Sequence, residues 1–183
     1  MWIQLILFRV EIIKNPNKIL KKKLDSVNGI TPDIIAFIEE MRKTMIEAKG
    51  VGLAANQVGK DLRIFIIDKK IADEYKVPDA YINPEITEYG KEADEMEEGC
   101  LSLPQVWLNL KRSKKVKLKA FDEHGEKIKI KARGFLARVF QHEYDHLEGI
   151  LFLSYVKNPA NIWKNRKLDN YISKYDAFPP VIE

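Results

Sequence analysis

The sequence predicts an α+β fold: antiparallel sheets packed around a central helix that carries a His-Glu-x-x-His pattern, with an N-terminal helix and a C-terminal helix. Three observations carry that prediction. Apolar and lysine residues alternate with period two on either side of a turn between 115 and 133, the period becomes helical from 135 to 148, and a capped helical stripe starts at 31. A chain of 183 residues with 45% hydrophobic and 32% charged residues fits one globular domain.

The first helix follows Thr31-Pro32-Asp33, an N-cap, a proline suited to the first turn and an acid at the positive end of the helix dipole. Ile34, Ile38, Met41 and Met45 make its buried stripe, and Gly50 is expected to end it as a left-handed cap. The stretch 50–59 (GVGLAANQVG) is too rich in glycine and small residues for an ordinary strand. Leu62 to Asp68 predicts a short central strand, 69–80 a loop, and Tyr81 to Tyr89 a strand interrupted at Pro84. The acidic run Glu92, Asp94, Glu95, Glu97 and Glu98 is expected in a charged loop.

Val116, Leu118 and Ala120 then alternate with lysines, as do Ile128, Ile130 and Ala132 after the turn at Asp122-Glu123-His124-Gly125. That predicts a hairpin with one buried face and six lysines on the other, a solvated face or, alternatively, a nucleic-acid contact. From Phe135 to Glu148 the stripe Leu136, Val139 or Phe140, Tyr144 and Leu147 predicts a buried inner helix. A last helix is expected over about 161–175, before Pro179-Pro180.

Composition narrows the classes of function. Apolar runs such as Leu5–Phe8 fall far below the roughly 18–20 residues that span a bilayer, so no membrane helix is predicted. The N-terminus lacks a basic segment and a small-residue cleavage site, and a lone cysteine forms no internal disulfide; a reducing, cytoplasmic location is expected. Net charge is +4, but Lys111 to Arg133 holds ten Lys or Arg against three acids, a basic segment beside the acidic run.

The chemistry concentrates in His142-Glu143-Tyr144-Asp145-His146. Residues four apart share a helix face, so both imidazoles can reach one cation while Glu143, turned about 100° away, can face a reacting water. Two of the chain's three histidines sit here, on a helix predicted to be buried, where unpartnered polar groups are costly. A third ligand is not found downstream: Phe152 stands where one protease pattern has histidine, and after Glu148 the next glutamate is Glu183. His124 falls in the hairpin turn. Cys100 remains, either a ligand for zinc or iron or a small buried hydrophobe; Gly99 beside it and the charged surroundings favour the ligand.

Taken together, GVGLAANQ (50–57), EGCLSLP (98–104) and QHEYDHLEG (141–149) resemble the three motifs of peptide deformylase, in the same order and at similar separations, over roughly residues 10–160. The resemblance implies removal of the formyl group from the N-terminal formylmethionine of new polypeptides, with formate released. It implies Cys100, His142 and His146 as ligands of one divalent ion, Fe²⁺ in the cell, with Zn²⁺ or Ni²⁺ able to replace it in purified protein. Such an ion lowers the pKa of a coordinated water towards neutrality. Glu143 is implied as the proton carrier, with the Gln57 amide and the Leu101 backbone N–H as oxyanion donors. Val51 and Gly52 would pair with the extended peptide, and Val51, Glu98, Gly99, Leu101, Val139 and His142 would shape the methionine pocket. Asp145 would orient a ligand imidazole or pair with Arg112.

The resemblance also implies a division into a catalytic domain over 10–158 and a helix and tail over 159–183, preceded by an extension, 1–9, without an assigned role. Asn56 is expected to matter little, Arg138 to stand at the pocket rim, Gln105 to alter a substrate-edge contact and Trp107 to cover the cleft. Nascent formylmethionyl peptides are the implied partners of a monomer, with ribosome contact through the lysine hairpin or through Lys164, Arg166 and Lys167. The competing readings are an HExxH endopeptidase and a non-catalytic metal-containing module that binds ribosome or RNA.

Overall fold

The computed structural model describes residues 10–156. The extension 1–9 and the C-terminal helix expected over 161–175, with Lys164, Arg166 and Lys167, lie outside the described residues. The fold is α+β, as the sequence predicts.

Helix α1 (Pro32–Glu47) begins where expected: the Thr31 hydroxyl accepts the Ile34 N–H at 3.4 Å, and Phe37, Ile38, Met41 and Met45 are buried. Its end differs. Lys49, not Gly50, takes the left-handed conformation (φ 57°), and the Gly50 N–H closes onto the Met45 carbonyl at 2.9 Å. Gly50 answers a packing need instead: a Cβ there would lie 2.6 Å from Leu101 Cδ1.

The stretch expected to be unsuited to a strand forms β1 (Gly52–Ala54), followed by one 3-10 turn, Ala55–Val58. Small residues suffice because β1 is a three-residue edge strand, bonded among the described residues only to β2 (Ile64–Ile67), and fully buried. The expected loop at 69–80 contains α2 (Lys69–Tyr75), capped by Asp68, whose carboxylate accepts the Lys70 N–H at 2.8 Å. Only Ala72 of that helix is buried, so it carries no apolar stripe to read. Strand β3 (Ala80–Tyr89) runs through Pro84 by a register shift between Ile82 and Glu85, with Asn83 at φ 50°.

The acidic run is a strand, not a loop. β4 (Ala93–Cys100) pairs antiparallel with β5 (Leu103–Ser113) as a separate two-stranded sheet. In β5, Val106, Leu108, Leu110 and Arg112 point inward; β4 hides its identity because its buried Glu98 meets polar partners rather than an apolar core. The lysine hairpin forms as predicted from β6 (Lys115–Phe121) and β7 (Lys127–Arg133), giving a five-stranded antiparallel sheet in the order β1-β2-β3-β6-β7.

Helix α3 (Phe135–Leu147) lies between the two sheets, against β1, β2, β3 and β7 on one side and β5 on the other. Leu136, Val139, Phe140 and Leu147 join the main core. The Phe140 ring meets Tyr81 edge-on at 4.9 Å and Phe65 at 5.7 Å, contacts worth about 0.5–1.5 kcal/mol each beyond their buried area. The opposite face carries a buried polar stripe, Arg138, Gln141 and Asp145, that meets the β4–β5 hairpin. A second apolar cluster of Leu20, Leu103, Val106 and Phe152 closes the hairpin's far side.

Candidate metal centre and active site

α3 presents His142 and His146 one turn apart, with ring centroids 5.2 Å from each other. Cys100 ends β4, where the strand turns through Leu101 and Ser102 into β5, and its Sγ stands 3.2 Å from His146 Nε2. One ligand atom from each of Cys100, His142 and His146 falls within 4.8 Å of the others. The set suits a cation chemically: burial and the neighbouring His142 hold His146 well below its ordinary pKa, leaving a neutral nitrogen donor. Burial also opposes a charge on His142, but hydrogen bonds to Cys100 and Glu98 outweigh it and hold that imidazole well above its ordinary value. Sulfur with two imidazoles matches zinc or iron better than an oxygen-seeking ion.

The carboxylate that steadies an imidazole of this set is Glu98. It meets His142 Nδ1 at 3.0 Å, which leaves Nε2 for a cation. Glu98 also accepts a two-pronged contact from Arg112, at 2.7 and 2.9 Å, and a third from Arg138 at 2.7 Å. Burial disfavours its charge, yet the hydrogen bonds from His142 and Arg112 prevail and hold it at about 2. Asp145 takes the other course open to it, accepting from Arg112 Nη1 at 2.6 Å and from the Tyr155 hydroxyl at 3.0 Å. Arg138 lines the cavity, as a residue of its rim would, but it is buried: its guanidinium reaches Glu98, the Leu110 carbonyl and Asp94, two carboxylates of β4 supplying its counter-charge.

Glu143 is buried 3% exposed beside Gly52 of β1. A Cβ on Gly52 would lie 2.3 Å from the Glu143 carboxylate, so only glycine lets the strand pass this close. Burial, with the nearby Glu98 and Asp145 charges, raises Glu143 to about 7, against the opposing pull of His142 and Arg112. A carboxyl poised near neutrality is suited to taking and returning a proton.

The Gln57 amide is held from both ends. Its oxygen accepts the Ala54 N–H at 2.8 Å, so its NH₂ faces Cys100 Sγ at 3.5 Å and the Ser102 hydroxyl at 3.2 Å. Ser102, fully buried, was not singled out from the sequence, although it sits within the EGCLSLP motif. Lys14 was missed too; its ammonium donates to the Leu101 carbonyl at 2.6 Å and pins the turn after Cys100, a contact 87 residues away along the chain. Asn56 matters more than expected: buried, it donates to the His146 carbonyl at 2.7 Å and ties the 3-10 turn to α3.

A cavity of about 620 Å³ opens onto these groups, within the usual size for a small-ligand site. Val51, Gly52, Glu98, Gly99, Leu101, Val139 and His142 all line it. Gln105, at φ 67°, and the half-exposed Trp107 border the mouth, with the Trp107 ring so close over Gly99 that a Cβ there would lie 2.8 Å from it. His124 is exposed in the hairpin turn and does not line the cavity.

Residues 10–161 match the family model described as polypeptide deformylase. The chain belongs to that family. It is 47% identical over 142 residues to peptide deformylase 1 of Clostridium perfringens, covering 77% of this chain and 93% of that protein. It is 43% identical over 159 residues to the peptide deformylase of Aquifex aeolicus, covering 85% and 90%. Among solved structures it resembles a peptide deformylase from Synechococcus elongatus in complex with actinonin, with a TM-score of 0.81, 33% identity and coverage of 94% and 92%. The Thermotoga maritima enzyme gives a TM-score of 0.75 at 38% identity, covering 81% and 98%. The family's reaction, hydrolysis of an N-formyl amide in a metal-dependent manner, is the one the motifs implied. Among the described residues no helix is long and apolar enough to cross a membrane.

Proposed function

We propose that this chain hydrolyses the formyl amide at the N-terminal formylmethionine of nascent polypeptides and releases formate, using Cys100, His142 and His146 to hold one divalent ion, Fe²⁺ in the cell. The convergence of those three side chains beside Glu143 carries the reading. A divalent ion bound there supplies Lewis-acid polarisation and an activated water at neutral pH. Glu143 accepts a proton from the attacking water as its oxygen adds to the formyl carbon. The same carboxyl returns the proton to the amine nitrogen as the C–N bond breaks, so formate and a free amino terminus leave.

Gln57 Nε2 and the Leu101 N–H donate to the oxyanion that forms on the former carbonyl oxygen. The orientation of the Gln57 amide supports that role, because its NH₂ already faces Cys100. Edge strand β1 supports strand-like pairing of the substrate main chain along Val51 and Gly52, with the methionine side chain towards Gly99, Leu101 and Val139. The protein acts as a monomer in the cytoplasm, with its basic surface towards the ribosome, where formylated chains emerge.

The test is formate release from formyl-Met peptides by the purified, metal-loaded protein, alongside Glu143→Ala. The variant should retain its metal and lose turnover. Full activity in that variant would remove Glu143 from the reaction, and cleavage of internal peptide bonds without formate would favour an endopeptidase.

A further inference from the structure

The two groups read as oxyanion donors come from different sheets: Gln57 from the turn after β1, Leu101 from the turn between β4 and β5. Residues 13–15 cross between those turns and bond to both. The Ile13 N–H donates to the Gln57 carbonyl at 2.7 Å, and the Asn15 N–H donates to the Ser102 carbonyl at 3.0 Å. Between them, the Lys14 ammonium donates to the Leu101 carbonyl at 2.6 Å. The crossing is well seated. Ile13 packs against the cluster of Leu20, Leu103 and Val106, a Cβ on Gly59 would lie 3.2 Å from Ile13 Cδ1, and Asn15 is buried. Ile13 and Asn15 bond through main-chain groups that any residue but proline supplies. The Lys14 bond alone depends on a side chain, and that side chain lines the same cavity as Gln57, Leu101 and Glu143.

We propose that Lys14 is a positioning residue of the reaction: through the Leu101 carbonyl it holds the Leu101 N–H in place beside Gln57 Nε2, so that both donors reach one oxyanion. The inference rests on the reading of those two groups as the donors. The carbonyl and the N–H belong to one residue, on rigid peptide planes that share its Cα, so a hold on the first limits how far the second can turn. The plane before Leu101 is tied in its turn where Cys100 pairs with Leu103. Donors act on a developing charge only within about 2.7–3.1 Å of it, a tolerance that a loose turn would exceed. The direct tie between the two turns, Gln57 Nε2 to the Ser102 hydroxyl at 3.2 Å, draws on the same amide that an oxyanion needs. When that amide turns to substrate the tie is lost, and residues 13–15 keep the spacing. A charged donor suits the task, because charge-assisted bonds are short and roughly twice as strong as neutral ones.

The test compares the full-length, metal-loaded wild type with Lys14→Met, Lys14→Arg and Lys18→Met, the last removing a nearby exposed cation. In Lys14→Met, kcat for formate release from a formyl-Met peptide should fall on the order of 10- to 100-fold, the cost of misplacing one oxyanion donor. KM should stay within about twofold, as for an interaction made in the transition state. Lys14→Arg keeps a charged donor and should recover kcat to within about threefold of wild type. Lys18→Met should match wild type, and metal content should be equal in all four proteins. In the zinc-loaded proteins the Leu101 amide resonance should move in Lys14→Met and return in Lys14→Arg, a local readout that general loss of stability does not give. Wild-type kcat in Lys14→Met, a rise in KM alone, loss of metal, or an unmoved Leu101 amide would overturn the proposal and leave the deformylase reading standing. An arginine variant no better than the methionine one, or an equal loss in Lys18→Met, would overturn it as well. A wild type that releases no formate would sink both.

Discussion

Arg138 donates to Glu98 at 2.7 Å, on the same carboxylate oxygen that accepts Arg112 Nε, so the acid that orients His142 stands between two buried guanidinium groups. α3 and the β4–β5 hairpin are thereby joined through charge, and Asp94 and Asp145 supply the balancing acids at either end. Each member has a partner, which is what makes buried charge tolerable.

Arg138→Met should therefore destabilise the protein by about 3 kcal/mol, because Asp94 and part of Glu98 lose a partner within the buried network. Urea unfolding of the metal-loaded protein measures it. A loss below about 0.5 kcal/mol would place the guanidinium among surface pairs of little consequence.

Gly52→Ala should displace the Glu143 carboxylate, since the added methyl would sit 2.3 Å from it. A displacement of about 1 Å costs roughly 100-fold in rate when it falls on a reacting group. The expected result is a fall of that order in kcat with metal content retained, measured by formate release and elemental analysis of the same preparation.

Gln57→Leu removes a side-chain donor while leaving Cys100 and both imidazoles in place. On the order of 100-fold should be lost from kcat with little change in KM, the pattern of an interaction made in the transition state. A rise in KM with kcat unchanged would reassign Gln57 to substrate binding.

The pH dependence should follow Glu143, whose carboxyl burial raises to about 7, while the hydrogen bonds on Glu98 hold that acid at about 2. Only the first titrates in the working range. Protonating Glu143 removes the base, so kcat/KM should fall as pH drops through the acid limb. A cation bound alongside favours the charged form, so the midpoint should lie between the ordinary 4.5 and about 7. For stability the sign follows Glu98: its depressed pKa adds stability above about 4.5, which is lost as pH falls towards 2. Rate profiles and Tm against pH check the two limbs separately.

Much of this was legible from local chemistry. The lysine hairpin and α3 each repeat a period over enough residues to identify themselves, and Thr31 caps α1 as its chemistry requires. The strand β4 was not legible, because burying Glu98 against arginines writes acid where a sheet pattern needs an apolar residue. α2 escaped for the complementary reason, having a single buried residue, and Gly50 misled because a glycine kept for contact with Leu101 looks like a glycine kept for a turn.

By itself the sequence determined the chemical parts: a helix with two imidazoles and a glutamate on it, one sulfur after a glycine, a glutamine in a small-residue stretch, and the family those motifs belong to. Only the tertiary structure decided which carboxylate steadies His142, that Arg138 is interior, and that Lys14, Asn56 and Ser102 brace the centre. Period and propensity act over a few neighbouring residues, whereas these contacts join positions 28 to 90 residues apart, and their energies depend on the burial that folding creates.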